Sequence, residues 1–241
     1  EEKLRQKKLA QIKEKEKKLM IEKERREKLR EHRKKEEEKR EKEGEVKRLR
    51  VEQEERERKE EVRKIEAANK LVEDSLAIDK FNFGVLYERY ILSNKQEDLE
   101  AFKNILRNYA HNYIEFSLDY AIAGQFDEAI SLLKVLTNDN NSVYPMVHYF
   151  MGWYFTQKGD DTNALVAYKK ASQMPDKYCF PNKIEEVLAL QAACKANPSD
   201  AKAFYYVGNF WYANRQYLEA QECWESSVKL DDSFAIIHRN L

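Results

Sequence analysis

Along most of this 241-residue chain apolar residues return every three or four positions, while the first quarter holds very few. The pattern is sharpest from Ala201 to Ala235. With Ala201 as place 1 of a 34-residue unit, Phe204, Val207, Gly208 and Trp211 fall at places 4, 7, 8 and 11. At 3.6 residues per turn these four share one face of a helix. Tyr217, Ala220, Trp224 and Ser227 follow at places 17, 20, 24 and 27 and mark one face of a second helix. Gly208 and Ala220 are small where the two antiparallel helices are expected to touch; a larger side chain at either would push them apart. Neither helix can bury its stripe alone, so neighbouring units must stack.

The same places recur upstream. From Ala110 to Ser142, Tyr113, Phe116, Tyr120, Gly124, Phe126, Ala129 and Leu133 fall at places 4, 7, 11, 15, 17, 20 and 24. From Pro145 to Tyr178, His148, Met151, Gly152, Phe155, Gly159, Ala164, Tyr168 and Ala171 take places 4, 7, 8, 11, 15, 20, 24 and 27. Gly124 and Gly159 mark the turn between helices, where a positive φ is common. This spacing of an aromatic, a small residue, an aromatic, alanine and an aromatic resembles the tetratricopeptide repeat. The fold class expected is therefore all-α, a tetratricopeptide-type helical solenoid over 66–241, preceded by one long charged helix over 1–65. Phe83–Leu92 and Glu97–Leu106 read as two short helices that fit the repeat loosely.

Residues 179–200 break the period. Asn182 and Glu185 suggest a capping box. Ile184, Val187, Leu188 and Leu190 then give one extra, unpaired helix at about 183–196, ended by Asn197-Pro198. Ala235 to Leu241 starts a further repeat that is truncated. The chain also lacks an initial Met and stops inside a repeat, so a fragment, a processed form or a chimera is expected. The string Tyr178-Cys179-Phe180-Pro181-Asn182 and the helix after it resemble the C-terminal repeat array of bacterial proteins that carry a β-rich, glycosidase-related domain of unknown function. That resemblance covers about 66–241 and implies an accessory role beside a carbohydrate-active enzyme. The β-rich domain itself is missing here, and the charged tract stands in its place.

Residues 1–65 hold 27 Lys and Arg against 20 Asp and Glu. Between Glu22 and Glu45 the one sizeable apolar residue is Leu29, so the seam of a coiled coil is absent there. Acidic residues four places before basic ones recur instead, as in Glu14→Lys18, Glu22→Arg26, Glu24→Lys28, Glu31→Lys35, Glu36→Arg40, Glu38→Lys42 and Glu52→Arg56. At ~0.2–0.5 kcal/mol each, such pairs hold a solvated single helix. Leu4, Leu9, Ile12 and Leu19 offer a weak pairing edge to a partner, but the arm as a whole is expected to be monomeric. An apolar stripe of Val62, Ile65, Asn69, Val72 and Leu76 carries the helix into the packed region and ends near Ile78. Ala68 and the Ala77-Ile78-Asp79 ending suggest the second helix of a degenerate repeat.

Residues 66–241 reverse the balance, with 17 basic and 24 acidic residues, so the whole chain is neutral. Mixed charge on the arm gives a poor phosphate-attracting field, which argues against nucleic acid as a partner; a cytoskeletal or RNA-associated structural role is the remaining use of such an arm. Cysteines 179, 194 and 223 are odd in number and show no C-x-x-C, which implies reduced thiols and a cytoplasmic setting. No apolar run approaches the ~18 residues of a membrane span. His148 and His238 occupy packing place 4, Asp160-Asp161 and Asp231-Asp232 sit at turns, and no phosphate loop or nucleophile motif is visible. No enzyme activity, cofactor or metal is expected.

What remains is a binding role for a protein or peptide. The first helix of each repeat lines the concave face at places 2, 5, 9 and 12. These are His111, Ile114, Leu118 and Ala121, then Met146, Tyr149, Trp153 and Thr156, then Lys202, Tyr205, Asn209 and Tyr212. The face turns aromatic toward the C-terminus. Tyr149, Trp153, Lys202, Tyr205, Asn209 and Tyr212 are the candidate partner contacts, with rings for side chains and Asn209 for a backbone. Gly152, Ala164, Gly208 and Ala220 are the candidate packing residues. The sequence leaves the oligomeric state open.

Overall fold

The structure, a computed structural model, describes residues 2–138, 144–176, 178–233 and 235–241, with the side chains of 2–13, 16 and 235 left out. Leu4, Leu9 and Ile12 therefore lie outside the described side chains. All regular structure among the described residues is helical. Two compact units divide between Leu71 and Val72.

The first unit is the greater part of one helix, α1 (Glu2–Ile78). Every described side chain from Glu14 to Ala67 is exposed. The helix is stabilised by its own side chains: Glu14–Lys18 (2.8 Å), Glu22–Arg26 (3.2 Å), Glu52–Arg56 (2.7 Å) and Glu60–Lys64 (2.8 Å) pair in the favourable acid-first order. Arg50–Glu54 (2.9 Å) runs in the opposite sense. Gly44 does not interrupt the helix. The expected apolar stripe is corrected at its start: Val62 and Ile65 remain 49% and 44% exposed, whereas Val72 is buried and Leu76 packs on the core. The stripe has helical spacing throughout, but the core reaches only its last members.

The second unit stacks helix pairs. These are α2 (Phe83–Ser93) with α3 (Gln96–Leu106), α4 (Ala110–Ile122) with α5 (Phe126–Asn138), and α6 (Met146–Gln157) with α7 (Asp161–Gln173). A single helix, α8 (Ile184–Ala196), packs chiefly on α6 and on α9 (Ala201–Ala213). α9 pairs with α10 (Tyr217–Leu230), and α11 (Ala235–Asn240) follows on α10. After α1 the first complete pair is α2 with α3, where Tyr87 meets Phe102 at 4.9 Å between ring centroids.

Repeat places explain the core. Places 8, 20, 24 and 27 are buried in all three registered repeats, as Ser117, Ala129, Leu133 and Leu136, then Gly152, Ala164, Tyr168 and Ala171, then Gly208, Ala220, Trp224 and Ser227. The small place 8 faces the ring at place 24. A Cβ on Gly152 would stand 2.4 Å from Tyr168 Cε1, and one on Gly208 would stand 2.5 Å from Trp224 Cδ1. The backbone carbonyl of Ala220 is further off, at 3.1 Å. Where place 24 is Leu133, place 8 carries the larger Ser117, whose hydroxyl donates to the Ile114 carbonyl (2.7 Å). Ring size at one place thus sets side-chain size at the other.

Place 15 ends the first helix of each repeat with a left-handed residue: Gly124 and Gly159 at φ 77°, and Arg215 at φ 62°. The cap of α8 falls one residue later than Asn182 and Glu185 suggest. Lys183 is the N-cap, and the buried carboxylate of Glu186 accepts from the backbone N–H groups of Asn182 (2.7 Å) and Lys183 (3.0 Å). The later start makes Glu186, not Glu185, the third helical residue.

Candidate partner-binding groove

The four concave places do not share one environment. Place 5 is buried in every registered repeat, with Ile114, Tyr149 and Tyr205 at 4%, 0% and 6% exposure. Place 9 changes from buried Leu118 to half-buried Trp153 and Asn209. Place 12 opens furthest, to Tyr212 at 55% exposure. From place 5 to place 12 the last registered repeat therefore opens furthest.

The structure separates the six expected contacts into two groups. Tyr149 is fully buried, and its hydroxyl donates to Asp200 Oδ2 at 2.9 Å. Asp200 in turn caps α9 by accepting from the Ala203 N–H (3.1 Å). Tyr149 is thus a strut between α6 and α9 and is not open to a ligand. Trp153 packs half-buried against Phe150 and Tyr154. Lys202 is turned to its own chain, with Nζ donating to the Met174 carbonyl.

Tyr205, Asn209 and Tyr212 do come together. They line an open groove of about 480 Å3 between α9 and α11. Trp224 and Phe180 add rings to it, and Ile236, Arg239 and Asn240 come from α11. Trp224 Nε1 donates to Asn209 Oδ1 at 3.1 Å, which orients the carboxamide. Tyr212 packs between Tyr217 and Trp224, each 5.4 Å away by ring centroid. The floor is largely buried rings, the walls include exposed Phe180 and Tyr212, and Arg239 is the one charged residue among those lining it. Ile236 and Arg239 occupy places 2 and 5 of the repeat that starts at Ala235, so the same numbering carried one unit further would have found them. Phe180 belongs to the irregular turn before α8, and no periodicity marks it.

Burial sets the protonation behaviour around these helices. Burial pushes the His148 imidazole down to about 4, with Lys170 adding to the shift. Burial raises the Asp200 carboxyl, against the hydrogen bonds from Ala203 and Tyr149 that lower it. The Cys179 thiol is pushed up to about 12 by burial, so it is an inert packing group rather than a nucleophile. Among the described residues no group of His, Cys, Asp and Glu side chains could hold a metal ion. None of the described helices is long and apolar enough to cross a membrane.

No family model matches the chain, and no curated protein does. Solved structures with similar helical arrangements include MamA, at 18% identity over 59% of this chain and 72% of that one, with a TM-score of 0.26. YrrB, described as a TPR protein with an unusual peptide-binding site, shares 14% identity over 70% of this chain and 96% of its own, with a TM-score of 0.28. Yeast Tom70 shares 19% identity over 70% of this chain and 40% of its own, with a TM-score of 0.29. These scores are too low to carry an argument, so the assignment rests on the chain itself. Three units in one register, with place 8 against place 24 and a left-handed residue at place 15, make it a tetratricopeptide-type helical solenoid joined to one long charged helix.

Proposed function

We propose that the chain is a protein-interaction scaffold whose binding site is the groove between α9 and α11. The observation that carries this reading is the meeting of exposed Tyr212 and Phe180 over a floor of buried rings, beside Asn209 and Arg239. Exposed aromatic walls around a concave floor suit an extended peptide, because rings supply contact area at low entropic cost and a fixed carboxamide selects backbone groups. Upstream, place 5 is buried and none of the concave places is exposed, which favours the C-terminal repeats as the site. Panning a random-sequence peptide library against the chain tests the reading. Tyr212→Ala and Phe180→Ala should each weaken a selected peptide by about tenfold, while Gln221→Ala, on an exposed residue outside the groove, should not. Equal losses from all three variants would reject the groove.

In the same proposal α1 serves as a spacer. From Glu14 to Ala67 its described side chains are exposed and pair with each other rather than with a core, and at ~1.5 Å per residue its 77 residues span about 115 Å. Circular dichroism of the 1–65 peptide should show helicity independent of concentration and reduced by salt, which screens exposed pairs. Helicity that rises steeply with concentration, or a coil spectrum throughout, would defeat the spacer role.

A further inference from the structure

The groove differs from its upstream equivalents in two ways: one wall comes from outside the repeats, and its polar lining is rich in donors. The outside wall is Phe180, 65% exposed on the turn between α7 and α8. This turn is tied down on both sides of Phe180, where Cys179 is 1% exposed and Pro181 is buried. Glu186 then receives the next two backbone N–H groups, those of Asn182 and Lys183. Tyr178 just before it is held at φ 62°, a conformation that L residues rarely adopt. The backbone that presents the ring is therefore anchored on both sides.

The donors are Arg239, exposed on α11, and the carboxamide nitrogens of Asn209 and Asn240. The indole of Trp224 takes one acceptor position of Asn209 Oδ1, and the N–H groups of that carboxamide add donors to the lining. No carboxylate shares the lining. In a unit where acidic residues outnumber basic ones, the groove is thus a local cationic site with apolar walls. Such a site is complementary to an acceptor that carries negative charge.

We propose that the groove takes an extended segment of a partner protein in which an acidic side chain stands beside an apolar one, with Arg239 pairing the carboxylate and Phe180 covering the apolar neighbour. This rests on the groove reading above and adds the chemistry of the partner. Arg239 is exposed, so the carboxylate sits at the rim on a flexible side chain while the rest of the segment crosses the rings. The guanidinium offers paired donors in a fixed fork that an ammonium lacks.

The test uses the full chain and peptides selected from a random library in which every C-terminus is fused to a linker, so that all carboxylates are side chains. Enriched peptides should carry Asp or Glu next to a large apolar residue. Replacing that acid by its amide in a selected, end-blocked peptide should weaken binding by about tenfold, and the same replacement should have little effect on the Arg239→Gln variant. Enriched peptides without an acid, or an equal loss with wild type and Arg239→Gln, would overturn the proposal while Phe180→Ala and Tyr212→Ala still mapped the groove. No enriched peptide, or peptides indifferent to Tyr212→Ala, would instead overturn the groove reading and this proposal with it. Thermal melts of Arg239→Gln should match wild type, because the side chain is exposed, and so separate lost binding from lost folding.

Discussion

The repeat of α6 and α7 and the repeat of α9 and α10 are built alike and exposed differently. Each has glycine at place 8 under an aromatic ring at place 24, alanine at place 20 and tyrosine at place 5. Yet Tyr149 holds a buried carboxylate, whereas Tyr205 forms the floor of an open groove. The difference lies in what comes next in the chain. After α7 comes the inserted α8, which packs on α6, with Asp200 beyond it to receive Tyr149. After α10 comes α11, which flanks the groove and leaves Tyr212 exposed. Repeat places dictate packing within a pair, and the neighbouring element decides whether this face becomes a strut or an open groove.

The shared half of the comparison breaks most severely at place 8. Gly152→Leu and Gly208→Leu should each cost about 3 kcal/mol or more, the upper end of overpacking, because the first added carbon already overlaps a ring. Gly152→Ser combined with Tyr168→Leu copies the pair Ser117 and Leu133 and should recover much of the loss. Chemical denaturation of the singles and the double reads this directly. Singles as stable as wild type would contradict the register.

The two repeats also differ at place 4, where one has His148 and the other Phe204. A histidine whose folded pKa is depressed to about 4 stays neutral in the fold but takes up a proton in the unfolded chain below its ordinary value. Its contribution is therefore complete above pH ~6.5 and is lost as pH falls toward ~4, a loss of about 2–3 kcal/mol. His148→Phe should remove this acid slope. Asp200 acts in the opposite sense, since its raised carboxyl pKa means that protonation favours the fold, but it does so in both proteins; lacking His148, the variant should lose less stability than wild type between neutral and mildly acidic pH. Denaturation midpoints at several pH values measure the difference, and identical slopes would contradict the buried, neutral imidazole.

Much of the fold was legible because a helix pair that must bury a stripe leaves a period in the sequence. The register located α4 to α7, α9 and α10, and the break at 179–200 located α8. The turn at place 15 was legible through Gly124 and Gly159 but hidden at Arg215, which takes the same conformation without glycine. The site was legible only in part. Tyr205, Asn209 and Tyr212 follow from place numbers, but those numbers do not report what lies on top, and so Tyr149 and Tyr205 looked equivalent. Lys202 was expected among the partner contacts from its place number, because sequence does not show that the Met174 carbonyl lies within its reach. Phe180 comes from an irregular turn whose shape depends on tertiary anchors, Cys179 and Glu186 among them, and no local pattern encodes these.

The contrast between strut and open groove is tested most directly by tyrosine nitration of the folded chain, followed residue by residue by mass spectrometry. Tyr212, half exposed at the groove, should be modified readily, and Tyr149, fully buried with its hydroxyl on Asp200, should be protected until the chain unfolds. Modification of Tyr149 at the rate of Tyr212 in the native protein would show that the α6 face is open and would contradict the account.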